Sequence, residues 1–491
     1  MNRIGRVVKI TGDRIHALVE EISKIDSVAV NGFVTDYVSV GALIGTDLVD
    51  GRTLVLTVEE VYSRDQEVFI IASVSGIYDR VARRFSFGTN SYPLIGENVY
   101  KLGSDILSRI FGAKQTNGST IGTYAYDSNV AVGYDPNILF GKHLGVFGNT
   151  GSGKTCTVVS IIQRYIRENP RSDIKFIILD VNGEYKTAFR KEECEYIPFS
   201  SLCFHHSMLN YPEYGRMFRA AEGVQYPALR DCIKTLSKLK RKWDLKDLSG
   251  QIDKWIEDNT PFKNGQKDIF AKNSLTGNLR TMCLRIDGIT DDADLMNVIN
   301  SPNCPETIYH ILQWDRKVFI LDLQVSADSL DIIIYLLFKG LYELKSSRSN
   351  PTHICLVLEE AHRYINSDSA ESRLGNYYID KLSREGRKFG IGLIISSQVP
   401  SMLSYDIVSQ CNSVIMHKIT SRRDREFLQS VLRLSGDIHC MQMSALEKQH
   451  AVVCGEAFPN DTLVKIHDAS PLPLSNDPVI PVKSAAHRFG R

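Results

Sequence analysis

Gly148-Asn149-Thr150-Gly151-Ser152-Gly153-Lys154-Thr155 follows the apolar run Leu144-Gly145-Val146-Phe147 and precedes Thr157-Val158-Val159-Ser160-Ile161-Ile162. This order reads as strand, glycine-rich loop and helix, the context in which G-x-x-x-x-G-K-[ST] means a phosphate-binding P-loop. The glycines let backbone N–H groups turn toward phosphate oxygens, and the helix adds its positive N-terminal end. In such a loop Lys154 reaches the β- and γ-phosphates and the Thr155 hydroxyl sits on Mg²⁺. The expected nucleotide contacts are Gly148, Asn149, Thr150, Gly151, Ser152, Gly153, Lys154, Thr155 and the adjoining Cys156, with ATP and Mg²⁺ as cofactors.

Working outward, apolar strands alternate with helical stretches. Ile174-Lys175-Phe176-Ile177-Ile178-Leu179-Asp180 is a largely apolar run ending in a carboxylate. That is how a buried parallel strand reads, with its polar tip where ligands bind in α/β sheets. The tip continues Val181-Asn182-Gly183-Glu184-Tyr185. Val318–Leu323 reads as a third strand and Leu330–Leu344 as the helix after it. His353-Ile354-Cys355-Leu356-Val357-Leu358-Glu359-Glu360-Ala361-His362 is the second anchor. An apolar strand ending in two carboxylates downstream of a P-loop is a Walker B arrangement. Glu359 is expected in the water shell of Mg²⁺, and Glu360 as the general base that polarises the attacking water.

A charged helix, about 372–389, ends at Gly390 and leads into Ile391-Gly392-Leu393-Ile394-Ile395-Ser396-Ser397-Gln398. Gln398, at a strand tip beside the P-loop, reads either as a γ-phosphate sensor or as an ordinary polar strand end. The cations of Ser383-Arg384-Glu385-Gly386-Arg387-Lys388 either suit a helix C-terminus or supply an arginine finger to a neighbouring subunit's ATP. Arg384 is the favoured finger over Arg387. Ser413–Lys418 reads as a sixth strand.

Residues 1–95 carry short β-branched runs (Ile4–Ile10, Arg14–Val19, Ser27–Val30, Tyr37–Val40, Thr53–Val61, Val68–Val74) separated by Thr11-Gly12-Asp13, Asn31-Gly32 and Asp50-Gly51. They read as a small N-terminal β-barrel for assembly or partner docking. Residues 96–199 and 313–465 form the α/β core, 96–140 of it as a mixed lead-in, and 200–312 a helical insertion. Within the insertion, Lys238–Trp243 reads as a solvated basic face or as a nucleic-acid grip. Residues 466–491 form a proline-containing extended tail.

The formal net charge is only +1, so nucleic-acid binding would need a local patch or pore, not a globally basic surface. The ten cysteines include no C-x-x-C pair, which argues for reduced thiols and against a metal or disulfide framework. No signal peptide is visible and no apolar run is long enough to span a bilayer. A cytoplasmic protein without a membrane partner is expected.

These motifs together resemble the HerA family, within the HerA/FtsK group of hexameric P-loop ATPases. The resemblance rests on Lys142–Thr155, Asp180 with Gly183-Glu184-Tyr185, Leu358–His362, and Arg384–Gly390 leading to Ile394–Gln398. It implies a RecA-like ATPase core, a HAS-type N-terminal barrel and a C-terminal tail that crosses between subunits. It further implies a homo-hexamer with ATP at the subunit interfaces and double-stranded DNA in the pore. Arg384 matches the family's trans-acting arginine, and Lys142 its basic residue upstream of the P-loop, a further phosphate contact. Glu359 stands where aspartate is common and Asn182 where histidine is common. Two biological settings follow from the resemblance. One is a DNA translocase working with a NurA-type nuclease in end resection. The other is the ring of an antiviral complex whose barrel docks a sirtuin-like NAD-consuming effector or a nuclease. A third possibility, a scaffold ring with purely structural nucleotide, sits badly with the intact Lys154, Glu360 and Arg384.

Overall fold

In the computed structural model, residues 3–20, 28–30, 33–35, 38–112, 119–239, 243–300, 307–347, 351–365, 374–432 and 442–474 are described. The N-terminal strands close into a six-stranded antiparallel barrel. Its order is Arg14–Val19, Arg3–Thr11, Asn98–Lys101, Leu43–Asp47, Thr53–Arg64 and Glu67–Asp79. Arg14–Val19 pairs with Glu67–Asp79 to complete the ring, and Arg84–Phe87 adds a seventh strand outside the closure. Ile4, Val7, Leu54, Leu56, Val58, Ile70 and Val99 fill one core. Two barrel strands were not legible as such. Leu43–Asp47 carries a glycine whose added Cβ would meet Leu102 and Tyr100, and Asn98–Lys101 comes from the stretch read as lead-in to the ATPase core. Ser27 and Tyr37, which bounded two expected strands, lie outside the described residues.

Behind the barrel an eleven-stranded sheet runs in the order Asp127–Gly133, Thr120–Tyr124, Thr462–Ile466, His450–Gly455, Cys411–Met416, His143–Phe147, Ile391–Ser397, His353–Leu358, Ile174–Asp180, Val318–Asp322, Cys194–Ile197. The seven strands from Cys411–Met416 onward are parallel, and the first four pair antiparallel. Six of these parallel strands are buried on both faces, which explains their apolar runs, whereas the edge strand Cys194–Ile197 is largely half-exposed. Alternate residues enter separate cores. Phe176, Ile178, Cys355 and Val357 pack with the P-loop helix Lys154–Glu168. Ile177, Leu179, Ile354, Leu356 and Leu358 pack against the other face, with helices Ala327–Ser346 and Leu374–Glu385 and the insertion.

The main helices between residues 200 and 312 are Tyr211–Met217, Gln225–Leu239, Asp247–Asn259, Ile269–Thr290 and Ala293–Ile299. A buried ion pair pins it to the core: Lys339 Nζ lies 2.6 and 2.8 Å from the two Glu213 oxygens. Trp243 is buried against His206, so the aromatic of the basic run is core and offers no stacking platform. Lys240, Arg241 and Lys242 lie outside the described residues.

Candidate functional site

The P-loop strand His143–Phe147 lies between Ile391–Ser397 and Cys411–Met416. The strand tips on this edge deliver the polar groups. The loop keeps its shape through backbone conformations that only glycine adopts freely, with φ +71° at Gly151 and +111° at Gly153. At Gly148 a Cβ would stand 2.6 Å from Ser152 Oγ and 2.7 Å from His417 Cβ. Asn149 anchors the loop: its N–H donates to Lys418 O at 2.8 Å and its Nδ2 to Thr420 Oγ1 at 2.7 Å. Its carbonyl accepts from Lys154 Nζ at 3.2 Å and Ser152 Oγ at 2.7 Å. Burial pulls the Lys154 ammonium below its ordinary range, opposed by Glu360, Glu359 and Glu184.

Glu360 has φ +47° and ψ +47°, a left-handed backbone uncommon outside glycine that clusters at functional sites. Gln398 bridges it to the P-loop: Thr150 Oγ1 donates to Gln398 Oε1 at 2.5 Å, and Gln398 Nε2 donates to Glu360 Oε1. Glu360 Oε2 lies 3.2 Å from His362 Nδ1 and is buried without a hydrogen bond. His362, Lys154 and Gln398 together outweigh burial and hold Glu360 below the usual carboxylate range. A carboxylate kept ionised, with one buried oxygen unbonded, is equipped to accept a proton from water.

Glu359 is different. It is 1% exposed, accepts from Tyr185 Oη at 2.5 Å and from Ser396 Oγ at 3.3 Å, and burial pushes it up to about 7. Both its oxygens are committed to protein donors. The carboxylate bonded to Thr155 is Glu184, with Thr155 Oγ1 donating to Glu184 Oε2 at 2.8 Å. Glu184 and Tyr185 are visible in the sequence as part of the strand-tip motif, but nothing there assigns either a task. Also missed was His417. Its Nε2 is 2.9 Å from Thr157 Oγ1 and its Nδ1 3.1 Å from His450 O. With Nδ1 donating to that carbonyl, Nε2 accepts from Thr157. Burial, then Lys154, pushes His417 down to about 4, so the ring is neutral. The available signal was its position: it follows Met416 at a parallel strand's C-terminal tip, like Asp180, Glu359 and Gln398.

Two predicted residues lie elsewhere. Lys142 precedes the P-loop strand at its N-terminal end and pairs with Glu456. Five residues at about 3.3 Å each, some 17 Å of strand, set Lys142 apart from its own P-loop. Arg384 likewise precedes the seven-residue strand whose far tip carries Gln398, about 20 Å away. It is exposed, with Nε 3.1 Å from Asp380 Oδ1 and Nη2 3.0 Å from Asp406 Oδ2. Arg387 donates to Gln410 O at 2.6 Å and has a buried Nε. His143 ties this arginine-bearing end to the P-loop strand, with Nε2 2.8 Å from Ser383 O and Nδ1 accepting from Leu393 N at 3.2 Å. Cys156 is half-buried in the first turn of the P-loop helix, where burial raises its thiol.

The donor set fits Mg²⁺-ATP: a glycine cradle, a buried lysine, a threonine hydroxyl and an unbonded buried carboxylate oxygen. Thr155, with the carboxylates around it, would hold Mg²⁺, which would supply positive charge against the negative charge developing on the phosphates. None of the eight described cysteines forms a disulfide, and no described helix is long and apolar enough to cross a membrane.

A family model for the central domain of helicase HerA matches residues 119–341. The chain is 29% identical over 380 residues to the DNA double-strand break repair helicase HerA of Saccharolobus solfataricus, covering 74% of this chain and 70% of that one. It is 23% identical over 383 residues to a probable helicase of Methanocaldococcus jannaschii, covering 76% and 71% respectively. Among solved structures, VirB4 of Thermoanaerobacter pseudethanolicus aligns with a TM-score of 0.54 at 15% identity, over 71% of this chain and 96% of that one. At that identity the likeness is one of fold.

Proposed function

We propose, from its similarity to the HerA family of P-loop helicases and ATPases, that the chain is a homo-hexameric, ATP-hydrolysing motor that translocates on double-stranded DNA. One observation carries the reading. The P-loop, Glu360 and Gln398 converge at one edge of the sheet, while Arg384 stands exposed about 20 Å away at the other. A charge that cannot serve its own nucleotide is useful to a neighbour's, and a closed ring lets every subunit both give and receive one. Lys142, on the same far edge, has the same geometric option. In this reading Lys154 and the P-loop amides hold the phosphates, Glu360 takes the proton of the attacking water, and Gln398 couples Glu360 to the loop. Arg384 stabilises charge across the interface.

The repair helicases among its relatives favour DNA as the track and a partner nuclease in end processing. Val81, Phe87, Leu94 and Ile95 are 61% or more exposed on or beside the barrel, which favours the barrel as the dock for that nuclease, or for a defence effector in the antiviral setting. ATPase assays with and without double-stranded DNA, alongside native mass, test the proposal. Stimulated turnover by a six-subunit assembly is expected, with Glu360→Gln binding ATP but not hydrolysing it. Unstimulated turnover by a monomer, or wild-type turnover by Glu360→Gln, refutes it.

A further inference from the structure

The strand-tip turn Asp180–Tyr185 is built as a bracket. Asp180 Oδ1 accepts from the N–H groups of Gly183 at 2.8 Å and Glu184 at 3.1 Å, and Oδ2 from Tyr185 N at 3.0 Å. Gly183 turns the chain at φ +77°, and a Cβ there would lie 2.8 Å from the Gln324 amide. Asp180 is thus a loop organiser, not a ligand in waiting. The C-terminal segment adds a third tie: Leu474 N–H donates to Glu184 O at 2.8 Å. Gln163 of the P-loop helix holds the same segment, accepting from Ser470 N at 2.7 Å and donating to Pro471 O at 2.8 Å. These bonds hold the backbone on both sides of Glu184, and its side chain goes to Thr155.

A threonine hydroxyl has one proton and two lone pairs. With its proton directed at Glu184 Oε2, the Thr155 oxygen turns its lone pairs away from that carboxylate. This is the orientation a metal ligand needs. Successive residues of the same turn divide the work: Glu184 engages Thr155, and Tyr185 engages Glu359. Tyr185 and Ser396 hold Glu359 back from the same duty.

We propose that Glu184, rather than Glu359, is the carboxylate that orients Thr155 toward Mg²⁺ and supplies the negative charge behind the metal. This rests on the nucleotide-site reading above. Glu184 is a positioning residue, acting on the metal through a ligand's hydroxyl, and losing such a partner typically weakens metal affinity about 10- to 100-fold.

The test is binding of a fluorescent, non-hydrolysable ATP analogue to the full-length protein, titrated with Mg²⁺ and repeated in EDTA. Wild type, Glu184→Gln, Glu184→Asp and Glu359→Gln are compared. Glu184→Gln should bind nucleotide in EDTA like wild type yet need at least about tenfold more Mg²⁺ to reach the tight state. Glu184→Asp should recover much of the difference, and Glu359→Gln should shift the Mg²⁺ midpoint less than Glu184→Gln does. The proposal is overturned if Glu184→Gln keeps the wild-type midpoint, if Glu359→Gln shifts it more, or if Glu184→Gln loses affinity equally in EDTA, which marks a merely structural role. A wild-type protein whose nucleotide affinity ignores Mg²⁺ would instead overturn the underlying nucleotide reading, and this proposal with it.

Discussion

Replacing Glu359 by glutamine should make the nucleotide-free protein more stable at alkaline pH, although it alters the Walker B motif. Glu359 is fully buried and its carboxyl is pushed from an ordinary 4.5 up to about 7, mainly by burial. The folded pKa lies above the unfolded one, so the folded chain binds this proton more tightly. The stability it contributes is complete below pH 4.5 and is lost as pH rises to about 7. That window is worth about 3 kcal/mol at 1.36 kcal/mol per tenfold change in proton affinity. Glutamine carries no charge to desolvate. Its carbonyl can accept from Tyr185 Oη, and its amide can donate to a Ser396 hydroxyl that turns to receive it. The variant should therefore gain about 3 kcal/mol over wild type near pH 8, and under about 1 kcal/mol near pH 5. Urea denaturation of both proteins at the two pH values, without nucleotide or metal, reads the difference. Equal gains at both pH values, or a less stable variant near pH 8, would refute the burial argument.

Gly183→Ala forces a side chain onto a left-handed backbone and against Gln324. It should cost about 1–3 kcal/mol of stability and weaken Mg²⁺-dependent nucleotide binding by disturbing Glu184; wild-type behaviour in both assays would show that the bracket does not depend on the turn. Arg384→Ala removes an exposed side chain. It should change stability by no more than about 0.5 kcal/mol while lowering DNA-stimulated turnover about a thousandfold or more. Arg387→Ala deletes a bond to the Gln410 carbonyl and should instead destabilise the fold by about 1–3 kcal/mol. The opposite pattern in turnover and denaturation would exchange the two assignments.

Local chemistry made much of this protein legible in its sequence. The octet Gly148–Thr155 needs its glycines to close around phosphate, whatever fold surrounds it. Strands buried on both faces must be apolar, so Ile174–Asp180, His353–Leu358 and Ile391–Ser397 announced themselves, as did the polar groups at their tips. Leu43–Asp47 and Asn98–Lys101 were less visible because short antiparallel strands draw their stability from partners distant in the chain. Which tip meets which depends on strand order, and strand order is a property of the folded sheet. It brings Gln398 between Thr150 and Glu360, gives Thr155 to Glu184, and turns Glu359 toward Tyr185 and Ser396. Strand direction likewise sends Lys142 and Arg384 to the edge away from the P-loop, though Lys142 is only six residues before Gly148. The sequence by itself determined which chemical groups this protein carries and pointed to a phosphate as what they would serve. The tertiary structure alone decided their pairing, because a hydrogen bond spans about 3 Å, and only the folded sheet brings residues dozens to hundreds of positions apart within that reach.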